Sequence, residues 1–173
     1  MRGPYTRERF LELGYPCPPV YGDPAILLPK YFQVSQSVAC RIGIVPHYSN
    51  IQQVNQIYDL DPEVCVIDIR WPLGKVIKTI HSCASIVSSS LHGLIFAYSY
   101  GIPAAQVEFT ALPGGDGVKF LDYYAAGGIK TLHKPLIIDH KFAILELGQY
   151  LSCSPQTNLE PLVGPLLEAC PFA

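Results

Sequence analysis

"ASIVSSSLHGLIFAYSYGIPAAQVEF", residues 84–109, changes its periodicity twice. An apolar run of strand length (84–89) ends in a serine triplet. A helix-length stretch follows that is apolar nearly all round, and Gly101-Ile102-Pro103 leads out of it into a second strand-like run at 102–109. Strand, helix, strand at this spacing is the pattern of a right-handed βαβ unit on a parallel sheet.

The same rhythm extends in both directions. "CRIGIVPHY" (40–48) reads as a buried strand stopped at Pro46-His47. In "SNIQQVNQIYDLD" (49–61), Ser49 or Asn50 can cap a helix that places Ile51, Val54, Ile57 and Tyr58 at helical spacing. "VCVIDI" (64–69) is a strand, and "LGKVIKTIHSC" (73–83) sets Leu73, Val76, Ile77 and Ile80 on one helical face. After a Gly-rich loop, "GVKFLDYYAAGG" (117–128) reads as a helix ended by Gly127-Gly128. "KPLIID" (134–139) is a fifth strand and "HKFAILELGQYL" (140–151) a last helix. The expected fold is a three-layer α/β/α Rossmann-like domain with a mainly parallel five-stranded sheet. Its strands should fall near 41–47, 64–69, 84–88, 103–108 and 135–139.

Three segments follow from this. Residues 1–38 hold a short helix, "TRERFLELGY" (6–15), with a Gly14 stop and a Pro-rich ordered connection (16–29). Residues 39–151 form the Rossmann-like domain. Residues 152–173 form a tail too apolar for a solvated linker, expected to pack back onto the sheet or on a partner.

Composition narrows the class of function. Of 173 residues, 49% are hydrophobic and 15% charged, with a net charge of −2 and no basic stripe. That suits one compact domain and argues against nucleic acid or an anionic membrane as partner, so any anion must be held locally. No apolar run approaches the roughly 20 residues of a membrane span, and the N-terminus lacks a signal-peptide core. A soluble, cytoplasmic protein is expected. The six cysteines (17, 40, 65, 83, 153 and 170) have no Cys-x-x-Cys or zinc spacing. They read as reduced thiols, with no metal site.

The junction at residue 88 carries the chemistry. In open parallel sheets, ligands bind beyond the carboxyl ends of the strands. There, Ser88-Ser89-Ser90-Leu91-His92-Gly93 starts a helix whose first-turn N–H groups have no internal partner and sit at the positive end of the dipole. Serine hydroxyls add donors, Gly93 would let a ligand approach the backbone, and His92 can donate to an anion or deliver a proton. A phosphate or carboxylate site is one reading. The other makes Ser88 a simple N-cap and His92 a satisfied core histidine.

"SSSLHGLIFAYSYGIP" (88–103), preceded by "KVIKTIHSCASIV" (75–87), resembles the signature segment of the polysaccharide pyruvyl transferase family. Four further stretches agree, in order. "RGPYTRERFLELGY" (2–15) is similar to the family's Arg-Gly/Asp-x-x-Ser/Thr segment and "VYGDPAILLPKYF" (20–32) to its Gly-Asp-Pro-x-x-Leu-Leu-Pro turn. "IGIVPHYSN" (42–50) resembles its Val-Pro-His-Tyr strand end and "GVKFLDYYAAGGI" (117–129) its Lys-Phe-x-Asp-Tyr-Tyr helix.

The resemblance implies transfer of a pyruvyl group from phosphoenolpyruvate to two hydroxyls of a sugar or glycan acceptor, giving a cyclic ketal in exopolysaccharide or cell-surface glycan synthesis. Phosphoenolpyruvate is the donor substrate, and no cofactor is implied. The implied fold is the C-terminal, donor-binding half of a two-domain glycosyltransferase-B-like enzyme. His92 would be the catalytic acid, with Arg2 and Lys119 holding the donor anion beside Ser88, Ser89, Ser90, Leu91 and Gly93. His47, at a strand's carboxyl end, would line the cleft. Arg2 and Lys119 also read as solvated surface charges, and His47 as a turn residue.

Two departures stand out. Ser90 takes the place of an arginine that many members carry before Leu-His, removing a bidentate anion clamp. An acceptor-binding half is absent from the chain, so either the chain is a fragment of a longer enzyme or a separate N-terminal chain supplies that half. Two alternatives remain open. One is a glycosyltransferase-type half-domain binding a nucleotide sugar, with Glu108 available for ribose hydroxyls. The other is a non-catalytic assembly module.

Overall fold

Buried residues follow one another along the second halves of the two central strands, so both faces of the sheet are covered, as a parallel sheet requires. The computed structural model describes residues 1–35, 37–58, 60–109, 117–129 and 134–170. Its strands are β1 (Cys40–Val45), β2 (Val64–Val66), β3 (Cys83–Ser88), β4 (Ala104–Glu108) and β5 (Leu136–Ile137). They pair in the order β2-β1-β3-β4-β5, every pair parallel. The expected α/β/α fold is the observed one. The strands are shorter than their apolar runs: Ile67 and Ile138, just beyond β2 and β5, are still buried and donate their N–H groups to the neighbouring Ile44 and Glu108 carbonyls.

One face is packed by α4 (Leu73–His81), α5 (Leu91–Ser99) and α6 (Val118–Ala126). The other is packed by α3 (Ile51–Tyr58) and α7 (Ile144–Cys153). Helix α5 is apolar all round because it is buried all round: Leu91 and every residue from Gly93 to Tyr98 are buried. Each such aliphatic side chain contributes about 1.5–3 kcal/mol. The element is therefore a fixed platform. Of the α4 face, Val76, Ile77 and Ile80 are buried, but Leu73 is half-exposed at the first position of the helix.

The N-terminal helix α1 spans Pro4–Glu12, two residues earlier than its polar pattern suggests, because Pro4 opens it. Gly14, at φ 81°, ends it. Ser49 and Asn50 do not cap α3. They lie in a 3-10 turn, Tyr48–Asn50, capped by the His47 side chain, which accepts from the Ser49 N–H. The Pro-rich connection folds into a second 3-10 turn (Pro24–Leu27) and a short helix α2 (Leu28–Tyr31). Helix α8 (Glu160–Glu168) lies against the Pro24–Leu27 turn. Leu159 and Leu162 enter that core, and the Leu166 side chain lies against Gly22. The Gly-rich loop at 110–116 lies outside the described residues.

Asp122 of α6 holds α1 in place. It is fully buried, and its Oδ1 accepts from the N–H groups of Tyr5 (2.8 Å) and Thr6 (3.2 Å). The Thr6 hydroxyl donates to Oδ2. A carboxylate thus caps a helix N-terminus from another helix, where the dipole favours it. Gly3 is required by the same contact, since a Cβ there would lie 2.0 Å from the Asp122 carbonyl oxygen. Asp122→Ala is expected to cost about 3 kcal/mol, because charged hydrogen bonds are lost and buried donors orphaned. Denaturant unfolding checks this, and a loss below about 1 kcal/mol would show that α1 is held by something else.

Candidate functional site

The strand order makes a crevice before any side chain is considered. The chain leaves β1 toward β2 through α3 on one face, and leaves β3 toward β4 through α5 on the other. Between β1 and β3 the two connections part, and the carboxyl ends of these strands open at a topological switch point. The residues that emerge there are His47, two residues beyond β1, and Ser89 to His92, beyond β3.

Three serines divide the work. Ser88 is wholly buried, and its hydroxyl lies 2.7 Å from the Val45 carbonyl oxygen and 2.8 Å from that of Ser90, while accepting from the Ser90 N–H. It builds the turn. The Ser89 hydroxyl accepts from the His47 N–H at 2.8 Å, joining the ends of β1 and β3 across 42 residues and keeping its own proton to donate. Ser90 is the N-cap residue of α5 by backbone geometry, yet its side chain caps nothing. Among the described residues, no acceptor pairs with the first-turn N–H groups of Leu91, His92 and Gly93. An uncapped helix N-terminus at a switch point is receptive to an anion.

Gly93 serves packing rather than ligand access. A Cβ there would lie 2.4 Å from Ser88 Oγ and 2.8 Å from both Cβ and Cγ1 of Val45. The glycine lets α5 press onto the ends of β1 and β3.

His92 is not a core histidine: its side chain is 61% exposed, with Nε2 3.8 Å from Asp23 Oδ2. Asp23 is held in turn, because its Oδ1 accepts from the Ala25 N–H at 2.9 Å. Asp23 was missed among the candidate residues, although the Gly-Asp-Pro turn contains it. Arg2 is brought to the same corner, since the Gly22 N–H donates to the carbonyls of Met1 (2.8 Å) and Arg2 (3.2 Å). The Arg2 side chain is exposed and pairs with no acid among the described residues.

His47 and Lys119 form the opposite side. His47 Nδ1 lies 2.7 Å from the Ser49 hydroxyl and accepts from the Ser49 N–H, so Nε2 is left to carry the ring proton. Burial lowers the His47 pKa, and the nearby Lys119 ammonium lowers it further. Lys119 is half-buried at the second residue of α6, four residues before Tyr123 on the same helical face. Tyr123 is buried with its hydroxyl unpartnered, and burial, then Tyr124, then the Asp23 charge push its pKa up. Glu108, at the end of β4, acts electrostatically on Tyr150 of α7. Cavities of about 310 and 240 Å³ lie elsewhere, around Tyr98, Gly101 and Thr157 at the C-terminal end of α5. Among the described residues, no cluster of metal-binding side chains forms and no helix is long and apolar enough to cross a membrane.

Fold and geometry together define a Rossmann-like α/β domain with an uncapped helix N-terminus at the β1/β3 switch point. The chain belongs to the polysaccharide pyruvyl transferase family, a transferase family whose model matches residues 1–105. That stretch contains α1, the Gly-Asp-Pro turn and the whole β3–α5 junction; Lys119 lies beyond it. A protein of Acanthamoeba polyphaga mimivirus, named Uncharacterized protein L143, is 37% identical over 115 residues, covering 63% of this chain and 40% of the viral protein. The chain thus spans less than half the length of that curated relative. No solved structure matches it.

Proposed function

We propose that the chain holds phosphoenolpyruvate at the β3–α5 mouth and passes its pyruvyl group to two hydroxyls of a sugar, forming a cyclic ketal and releasing phosphate. The uncapped N-terminus of α5 carries this reading. Its free N–H groups, the Ser89 hydroxyl and Nε2–H of His47 supply neutral donors. Lys119 and Arg2 supply positive charge from two sides. Ser90 offers a hydroxyl where many family members have arginine, so Arg2 and Lys119 take the larger share of the donor's charge. Leu91 contributes its amide, its side chain being buried.

His92 delivers a proton to the methylene carbon of the enol. The adjacent carbon then accepts one sugar hydroxyl, phosphate departs, and the second hydroxyl closes the ketal, each hydroxyl releasing a proton. Asp23 sets the His92 ring against the mouth. The reaction belongs to exopolysaccharide or surface-glycan synthesis on the cytoplasmic side.

Calorimetric titration with phosphoenolpyruvate and with a uridine diphosphate sugar tests the class. Saturable binding of phosphoenolpyruvate alone supports the proposal. Binding of the nucleotide sugar alone would make the chain a glycosyltransferase-type half-domain, and binding of neither an assembly module.

The depressed His47 adds a pH dependence. In the free chain the neutral ring is favoured, so its contribution to stability is complete above pH about 6.5 and is lost as pH falls through the folded value. A bound anion offsets both causes of the depression and favours the imidazolium. Affinity for phosphoenolpyruvate should therefore rise as pH drops below about 6.5, with proton uptake visible in buffers of different ionisation enthalpy. His47→Gln should remove that part of the slope, leaving only the ligand's own titration. An unchanged slope would place the anion away from His47.

A further inference from the structure

Three cysteines that the mouth does not use gather at the other end of the central strands. Cys40 of β1 and Cys83 of β3 are direct register partners, and Cys65 of β2 is the register partner of Gly43 on β1. All three pack against the same core cluster, Cys83 buried and the other two partly accessible. Gly43 makes the gathering possible. A Cβ there would lie 2.8 Å from Cys83 Sγ and 2.6 Å from Ile86 Cδ1, so the missing side chain leaves the space the Cys83 thiol fills. Cys83 Sγ also donates to the Thr79 carbonyl at 3.2 Å.

Strand spacing decides which pair can bond. Register partners on adjacent strands have Cα atoms about 5 Å apart, within the span of a disulfide. Cys65 and Cys83 have β1 between them, and a separation of about 10 Å exceeds that span. We propose that Cys40 and Cys83 are an oxidation-sensitive dithiol that closes to a disulfide when the chain meets a peroxide. The Cys40 thiolate attacks one peroxide oxygen, breaking the O–O bond, and the displaced oxygen leaves as water after protonation. The Cys83 sulfur then attacks the Cys40 sulfenic acid, the S–O bond breaks, and a second water leaves as the S–S bond forms. Two thiols lose two electrons and the peroxide gains them. Burial, and then the neighbouring Cys65, push the Cys40 pKa up, so the attacking thiolate forms by loss of its proton to solvent and closure is favoured at alkaline pH. Closure would tie the beginnings of β1 and β3, whose far ends carry His47 and Ser89.

The test is peptide mapping of the reduced chain before and after treatment with hydrogen peroxide. Six thiols should be titratable under denaturing conditions before treatment, and four after. Trypsin should then release residues 31–41 linked to 79–119, at about 2 Da below the sum of the two peptides, and dithiothreitol should separate them. Cys40→Ser should leave Cys83 open to alkylation under the same treatment. Cys65→Ser should still form the link, because Cys40 and Cys83 are register partners without it. A link between any other pair would overturn the proposal. So would Cys40 and Cys83 both remaining alkylatable, or Cys40 advancing to sulfinic acid with Cys83 still free.

Discussion

Replacing Gly93 by alanine is expected to destabilise the chain by about 3 kcal/mol, lowering the melting temperature by roughly 6–12 °C. Two effects oppose each other at this position. Alanine is the better helix former by about 1 kcal/mol, and Gly93 sits in the first turn of a regular helix. Against that, the new Cβ would arrive 2.4 Å from Ser88 Oγ and 2.8 Å from two atoms of Val45. Neither neighbour can move away, because both are fully buried and the Ser88 hydroxyl is already bonded within the turn. Overpacking wins, and α5 must lift from the ends of β1 and β3. Because the proposed anion site is made from that junction, ligand binding should fall with stability. A Gly93→Ala chain that melts like the parent yet fails to bind would restore the view that this glycine clears space for ligand.

His92→Ala should do the opposite. The ring is mostly solvent-exposed and neighbours only Asp23 and the tilted Phe96 ring among the described contacts, so its removal should change stability by less than about 0.5 kcal/mol. A charge-assisted hydrogen bond to an anion is worth about 1.5–3 kcal/mol, so affinity for phosphoenolpyruvate should fall roughly tenfold to a hundredfold. In an enzyme complete with its acceptor half, turnover should fall further than donor affinity, because the proton moves only as the transition state forms. Equal affinity in the mutant, or early melting, would remove His92 from the site.

The order of strands and helices was readable because each element has its own length and pattern, as the change from a strand-length apolar run to a helix-length one at Ser88–Leu91 shows. Helix α8 was not. Pro161, Gly164 and Pro165 interrupt its pattern, and tertiary packing of Leu159 and Leu162 overrides them. The candidate residues on consecutive positions, Ser88 to Gly93, were legible as a group, but their division of labour was not. Whether a serine hydroxyl faces a ligand or a carbonyl depends on Val45, 43 residues away. Asp122 was invisible for the same reason: the helix it caps begins more than 100 residues earlier in the chain. What looked like two separate family motifs, Arg-Gly-Pro-x-Thr and Lys-Phe-x-Asp-Tyr-Tyr, is one joint.

The central claim is that phosphoenolpyruvate sits on the N-terminus of α5. Amide chemical-shift mapping on the isotopically labelled chain tests it most directly. On titration with phosphoenolpyruvate, the largest shifts should fall on the amides of Ser89 to Gly93, with smaller ones at His47, Asp23 and Lys119. Shifts confined to the cavity around Tyr98, Gly101 and Thr157, or no saturable shifts at all, would contradict it.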